Sequence, residues 1–403
     1  MNILIADKFP ERGIKKIESL GCCITYKQDL KDEALLKELK NNSYEFLIVR
    51  STKVTSKMVE SSPLISLIIR AGSGYNNIDV ESASRHSIYV ANCPGKNSIA
   101  VAELAMGLIL SVDRRIPDNV IELRKGHWNK KEFSKARGIF GRTLGVIGTG
   151  RIGREVIYRA QSFGMRIVAW SRSLTPLVAE ELGVEYEKSP EDVAKKSDIV
   201  TIHLALTPET KGIIGKNFFN ALKDGAYFIN TSRAEIVDEK ALIKAIEEKG
   251  IRAGLDVFSG EPSYKEGSIQ DQLALNPGVY GTHHIGASTE QAQEAVADET
   301  VRIVENYLKT GKVLNCVNIM ERPPSKALLT IHHKNRIGVL ASILDIIRDA
   351  SINVERMENI IFSGGEGACA RIELDNILPD KDINKIKNLT KDIYMITQVP
   401  LQS

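Results

Sequence analysis

The sequence predicts an α/β protein of open parallel sheets covered by helices, ending in a small βαββαβ unit. Three observations predict it. Short apolar runs alternate with helical-period segments through the first hundred residues. A glycine turn, Gly148-Thr149-Gly150-Arg151-Ile152-Gly153, falls between a buried strand and a helix. Beyond Arg322-Pro323-Pro324, a clear linker, the pattern changes to strand–helix–strand–strand–helix–strand.

In order along the chain, 3–6 (Ile-Leu-Ile-Ala) reads as a buried strand, and 11–20 as a helix with Ile14 and Ile17 on one face. Strands follow at 23–26, 46–50 and 67–69, with a helix at 35–40. A mostly apolar helix at 98–112 is placed to cross from one domain to the next. Residues 114–140 are charged and weakly periodic, so they read as exposed helix or loop and a candidate subunit contact. The second parallel sheet begins with the strand before the glycine turn. It continues with a helix at 154–163 and strands at 166–170, 199–204, 226–230, 253–257 and 279–280, with a helix at 240–248. After the linker, strands are predicted at 327–332, 353–361, 368–374 and 393–399, and helices at 338–349 and 381–388. Internal repeats and low-complexity tracts are absent.

A chain of 403 residues has room for two or three domains with full cores. Its net charge of +3 argues against a nucleic-acid or membrane-surface partner. No secretory leader is expected, because Met1 leads straight into the first strand. No apolar run approaches the roughly 18 residues of a membrane span. The cysteines (22, 23, 93, 316 and 369) are scattered without a CxxC pair, which predicts reduced cytoplasmic thiols and no metal site.

In the glycine turn, Gly148 permits the tight bend, Gly150 lets the backbone approach a pyrophosphate, and Gly153 lets the helix pack against the strand. The helix N-terminus adds free N–H groups and positive dipole, so a Rossmann-type dinucleotide site is predicted. Where an acid is expected for the ribose, the chain has Ser171-Arg172-Ser173. Two readings stay open: Arg172 accepts the 2′-phosphate of NADP, or it faces solvent and NAD is held through the serine hydroxyls.

Arg233, Glu261 and His284 each follow a strand-like segment of the same unit. An arginine suits a bidentate grip on an α-carboxylate. An imidazole takes a hydroxyl proton, and a carboxylate on its other nitrogen keeps it oriented and basic. The three together predict an oxidoreductase moving a hydride from an alcohol beside a carboxylate. His283 is a competitor to His284 that the residues alone do not eliminate.

With Asn230-Thr231-Ser232-Arg233, Leu255-Asp256-Val257-Phe258 before Glu261-Pro262, and His284-Ile285-Gly286-Ala287-Ser288-Thr289, the chain resembles the D-isomer-specific 2-hydroxyacid dehydrogenases nearly end to end. The resemblance assigns catalysis to Arg233, Glu261 and His284. It places cofactor contacts at Arg151, Ile152, Ser171, Thr231, Ser232, Asp256, Gly286 and Ala287, beside the glycines and Arg172. Asp256 would hold the nicotinamide carboxamide. Val49-Arg50-Ser51-Thr52 and Arg70-Ala71-Gly72-Ser73-Gly74 resemble substrate loops of the branch that oxidises 3-phospho-D-glycerate to 3-phosphooxypyruvate, the opening step of phosphorylated serine synthesis. That implies substrate contacts at Arg50, Ser51, Arg70, Gly72 and Ser73, with Lys130 or Lys131 reaching a neighbouring subunit's site. The alternatives are a glyoxylate or hydroxypyruvate reductase and a non-catalytic NAD-sensing scaffold. Three features depart from the family pattern: Ala234-Glu235 replaces Gly-Gly, His283 replaces Pro, and Ser171 replaces the ribose acid.

The resemblance also implies a cofactor domain (98–299) inserted in a discontinuous flavodoxin-like substrate domain (1–97 and 300–320), and a dimer or tetramer. Residues 325–403 resemble an ACT domain, a ferredoxin-like amino-acid-binding module. Its ligand loop is matched by His333-Lys334-Asn335-Arg336-Ile337-Gly338, with Ile337 where Pro is usual. L-serine is the implied effector, at His333, Asn335 and Asn353.

Overall fold

The apolar runs of the first hundred residues become five parallel strands: β1 (Asn2–Ile5), β2 (Cys23–Tyr26), β3 (Phe46–Val49), β4 (Leu67–Arg70) and β5 (Tyr89–Asn92), in the order β2-β1-β3-β4-β5. This is a computed structural model, and it describes residues 1–262, 267–389 and 391–401. Alternate side chains serve opposite faces of the sheet. Leu4, Leu47, Ile68 and Val90 pack with Leu35 and Leu39 on one side. Ile3, Ile5, Phe46 and Ile69 pack with Ile17 on the other. β5 was not expected. Its apolar run is only Val90 and Ala91, and it is held as an edge by the returning chain, where the Val317 N–H donates to the Val90 carbonyl at 2.8 Å.

The second sheet contains β6 (Thr143–Ile147), β7 (Arg166–Trp170), β8 (Glu185–Tyr186), β9 (Ile199–Ile202), β10 (Tyr227–Asn230), β11 (Arg252–Leu255) and β12 (Val279–Gly281). All are parallel, in the order β12-β11-β10-β9-β6-β7-β8. The order reverses between β6 and β9. That switch point opens a crevice at the carboxyl ends of the strands, the standard ligand position in such sheets. The two-residue β8 is too short to be legible. Helix Ser98–Arg114 leads into this sheet and buries Ala102, Ala105, Ile109 and Val112 against it. Helix Ile116–Arg124 buries nothing, as its weak periodicity predicts. Helix Glu290–Thr310 carries the chain back and inserts Ala297, Ile303 and Val304 into the core of the first sheet.

The chain divides into two units, Met1–Asn318 and Ile319–Ser403. The second holds β13 (Ala327–Lys334), β14 (Val354–Ile361), β15 (Gly367–Leu374) and β16 (Ile393–Pro400), an antiparallel sheet in the order β14-β15-β13-β16. Helices Val339–Asp349 and Asp380–Leu389 give it the predicted βαββαβ order. Among the described residues no helix is long and apolar enough to cross a membrane.

Glu299, on the returning helix, is buried and accepts from Arg302 (2.6 Å) and Asn315 (2.7 Å), with Lys96 at 3.1 Å. Burial opposes its charge, but the bonds from Arg302, Asn315 and Lys96 prevail and hold its carboxyl down at about 2. The folded-state value lies below the ordinary one. Its stabilisation is therefore present above about pH 4.5 and is lost as pH falls through the folded value, on the order of 2 kcal/mol in all. Glu299→Gln is expected to lower the thermal midpoint at pH 7 and to flatten the wild-type loss of stability between pH 4.5 and 2. Both are read by calorimetry.

Candidate active site

The glycine turn leaves β6 and enters helix Arg151–Ser162, so Arg151 and Ile152 occupy its first turn. Gly148 has φ +99°, and a Cβ there would meet the His203 carbonyl oxygen at 2.5 Å. At Gly153 a Cβ would meet the Gly148 carbonyl oxygen at 2.0 Å. At Gly150 it would meet nothing within 4 Å. Two glycines are thus required by the fold, and the third faces open space. No side chain caps the helix N-terminus, so its first N–H groups point there uncapped. Ser171-Arg172 follows β7, with Ser171 Oγ 3.4 Å from Ser173 Oγ and Arg172 exposed. Thr231 Oγ1, just beyond β10, is buried without a hydrogen-bond partner among the described residues. An open cradle at a bare helix terminus and an orphaned hydroxyl fit a dinucleotide.

β10 ends in Asn230, whose side-chain amide donates to the Arg233 carbonyl (3.0 Å) and accepts from Ser232 N–H (2.9 Å) and Oγ–H (2.7 Å). This local knot turns Arg233 into the crevice beside Ser232. Past β11, Asp256 is almost fully buried and accepts from Thr282 Oγ1 (2.6 Å), Ile285 N–H (2.8 Å) and Gly286 N–H (2.8 Å). Both its oxygens therefore hold the loop that carries His284. That histidine sits at φ +52°, a left-handed backbone uncommon for residues other than glycine.

His284 Nδ1 lies 2.8 Å from Glu261 Oε2, and Glu261 Oε1 accepts from the Phe258 N–H at 3.0 Å. Burial raises the Glu261 carboxyl, but those two bonds and the nearby His284 and Arg233 charges bring it below the usual glutamate range. Both histidines are exposed, but His284 alone of the two bonds to Glu261 and borders the cavities described below.

Two cavities meet at this point. One, of about 380 Å³, is lined by Arg233, Glu235, Asn76, Glu261 and His284. The other, of about 470 Å³, is lined by Lys8, Phe9, Gly72, Asn97, His284 and Gln293. Arg50, Ser51, Arg70 and His284 border both. Arg70 is drawn down to about 10, by burial first and then by repulsion from Arg233 and Arg50. None of the three arginines has a salt bridge among the described residues. Ser73 lines neither cavity, and its Oγ donates at 2.6 Å to Oδ1 of Asn97, a wall residue of the larger one. Ala287 lines the larger cavity.

Sequence reasoning missed Asp7 and His203. Asp7 Oδ2 accepts from the backbone N–H groups of Arg50 (2.7 Å), Ser51 (3.0 Å) and Thr52 (2.9 Å), and Ser51 Oγ donates to Oδ1 (3.1 Å). An acid just after an apolar strand was the available signal. His203 is buried, with Nε2 2.9 Å from Thr201 Oγ1, and burial pushes it down to about 3, so it is neutral and supports the glycine turn.

In the C-terminal unit, His333 Nε2 lies 3.3 Å from Asn359 Oδ1, and Asn335 donates to the Gly365 carbonyl at 2.9 Å. Asn353 is not with them. His333 pairs with Ala368 on β15, whereas Val354, next to Asn353, pairs with Leu374. Within one copy they lie roughly 20 Å apart along the sheet, at about 3.3 Å per residue.

Comparison with known proteins agrees with this geometry. A family model described as D-isomer specific 2-hydroxyacid dehydrogenase, NAD binding domain, matches residues 106–286. D-3-phosphoglycerate dehydrogenase of Methanocaldococcus jannaschii is 38% identical over 366 residues, covering 90% of this chain and 68% of that protein. Glyoxylate reductase of Thermococcus litoralis is 36% identical over 324 residues, covering 78% and 96%. The NAD+-bound 3-phosphoglycerate dehydrogenase of Entamoeba histolytica superposes with a TM-score of 0.66 at 27% identity, over 79% of this chain and 99% of that one. The chain belongs to the D-isomer specific 2-hydroxyacid dehydrogenase family, and its cofactor is NAD. It spans 58% to 68% of the length of the phosphoglycerate dehydrogenases it matches.

The three glycines separate fold from cofactor. Gly153→Ala is expected to lower the thermal midpoint, because the methyl meets backbone, at a cost of about 1–3 kcal/mol. Gly150→Ala is expected to keep the wild-type midpoint yet weaken NADH binding about tenfold or more, about 1.4 kcal/mol. Thermal melts and NADH fluorescence titration check the pair.

Proposed function

We propose that this chain oxidises 3-phospho-D-glycerate to 3-phosphooxypyruvate with NAD, opening serine synthesis by the phosphorylated route in the cytoplasm. The observation that supports the reading is the group of three guanidiniums, Arg50, Arg70 and Arg233, without a salt bridge among the described residues and around the cavities bordered by His284. A 2-hydroxy acid with one carboxylate needs one of them. A substrate with a phosphoryl group as well accounts for three, and relieves the repulsion from Arg233 and Arg50 that adds to the effect of burial on Arg70.

In this reading the helix N-terminus and Gly150 hold the pyrophosphate, with Ser171 at the ribose and Thr231 and Ser232 further along the crevice. NAD, when bound, accepts the hydrogen that leaves C2 with its electron pair. Arg233 grips the carboxylate and fixes C2 beside the imidazole. Glu261 accepts from His284 Nδ1–H, which leaves Nε2 free to take the hydroxyl proton. Asp256 acts by holding the loop in register, since its oxygens are spent on Thr282, Ile285 and Gly286. Exposed Arg172 beside Ser171 supports tolerance of NADP as well. A glyoxylate reductase is the second reading, favoured by the Thermococcus litoralis relative, but it leaves Arg50 and Arg70 without a role.

For the C-terminal unit we infer feedback inhibition by L-serine. The separation of Asn353 from His333 and Asn335 supports a site completed by a second copy, with Asn353 supplied by the partner subunit, and hence a homodimer or homotetramer.

A panel of 3-phosphoglycerate, D-glycerate, hydroxypyruvate and glyoxylate with both cofactors tests the activity. Phosphoglycerate is expected to exceed D-glycerate in kcat/KM by about a hundredfold, nearly 3 kcal/mol. Glyoxylate or hydroxypyruvate as the better substrate overturns the reading. Millimolar serine is expected to lower the rate, and an unchanged rate with no binding heat overturns the effector.

A further inference from the structure

The two cavities differ in charge, and the difference has a direction. The lobe that contains Arg233 also contains two carboxylates, Glu235 and Glu261. Glu261 is engaged with His284, whereas Glu235 is exposed and has no salt bridge among the described residues. The other lobe contains Lys8, exposed and likewise without a salt bridge among the described residues. Its one acid is Asp7, whose oxygens already take three backbone N–H groups and the Ser51 hydroxyl. Those bonds, against the opposing effect of burial, keep the Asp7 carboxyl ionised and fully occupied by the 50–52 loop. Neutral donors, Asn97 and Gln293, complete the wall. One lobe therefore pairs a guanidinium with a free anion. The other offers an unmatched cation.

A 2-hydroxy acid bearing a phosphoryl group is unequally charged: about −1 at the carboxylate and −1.5 to −2 at the phosphoryl near neutral pH. His284 borders both lobes, so the reacting carbon sits at the waist and the two anionic ends point opposite ways. We propose that the carboxylate occupies the Arg233 lobe and the phosphoryl group the Lys8 lobe, with Lys8 a specificity-determining residue and Glu235 a repulsive guard against the reversed orientation. Arg50 and Arg70, shared by both lobes, bridge the two ends. The inference rests on the phosphoglycerate reading. It adds which way the substrate lies, and that orientation decides which face of C2 meets the imidazole.

The test compares kcat/KM for 3-phosphoglycerate and D-glycerate in wild type, Lys8→Met, Lys8→Arg and Glu235→Gln, with thermal melts as a folding control. Lys8 is exposed, so its variants are expected to fold. Lys8→Met is expected to lower the phosphoglycerate-to-glycerate ratio about tenfold, the value of one charge-assisted contact, and Lys8→Arg to restore most of it. Glu235→Gln is expected to lower kcat and KM for 3-phosphoglycerate together, through unproductive reversed binding that leaves their quotient unchanged, and to leave both constants for D-glycerate as they are. An unchanged ratio in Lys8→Met, an equal loss of both substrates, or a ratio raised by Glu235→Gln alone overturns the orientation while the phosphoglycerate reading stands. Wild type with no preference for phosphoglycerate overturns that reading and the orientation with it.

Discussion

The site depends on one buried carboxylate. Asp256 takes a hydroxyl and two backbone N–H groups from the loop that follows β12, and so converts an exposed glycine-containing loop into a fixed platform. A buried carboxylate losing any of these donors is penalised by roughly 1–3 kcal/mol. That anchoring outweighs the cost, about 1 kcal/mol or more, of holding His284 in a left-handed backbone. The ring is thereby set 2.8 Å from Glu261, and Glu261 is in turn fixed by the Phe258 N–H. Position and tautomer of the imidazole follow from hydrogen bonds made by atoms that never touch the substrate.

A second carboxylate does the corresponding work on the opposite wall. Asp7 gathers three successive N–H groups of the 50–52 loop and so aims Arg50 and Ser51 into the cleft. Glycine completes the arrangement. Gly74 approaches so close to Arg233 that a Cβ there would meet its guanidinium nitrogen at 2.3 Å. The two sheets thus supply different parts: one the imidazole, its acid and Arg233, the other the remaining cations.

Most of this was legible in the sequence wherever one local pattern decides the outcome. The glycine turn, the strand at 166–170 and the terminal βαββαβ order came from spacing, and β7 has the predicted limits. The convergence of Arg233, Glu261 and His284 on one cavity was readable because each follows a strand end, where α/β sheets bind ligands. β5 and β8 were not, since two or three apolar residues carry no period and both lie at sheet edges, fixed by tertiary pairing. The anchoring role of Asp256 was hidden for a related reason: its partners lie 26 to 30 residues away. The choice between His283 and His284 came from the family resemblance alone, because neighbouring residues on a loop share every local signal. Asn353 shows the converse limit, where a motif position matched locally yet lies at the far end of its own sheet.

The central claim is that His284, oriented by Glu261, accepts the substrate's proton. The pH dependence of kcat/KM for alcohol oxidation, compared between wild type and His284→Asn, tests it most directly. A base must be unprotonated to work, so the wild-type rate is predicted to fall with unit slope as pH decreases. The variant is predicted to lose that limb together with about 10² to 10⁴ in rate. The same unit slope persisting in His284→Asn would contradict the account.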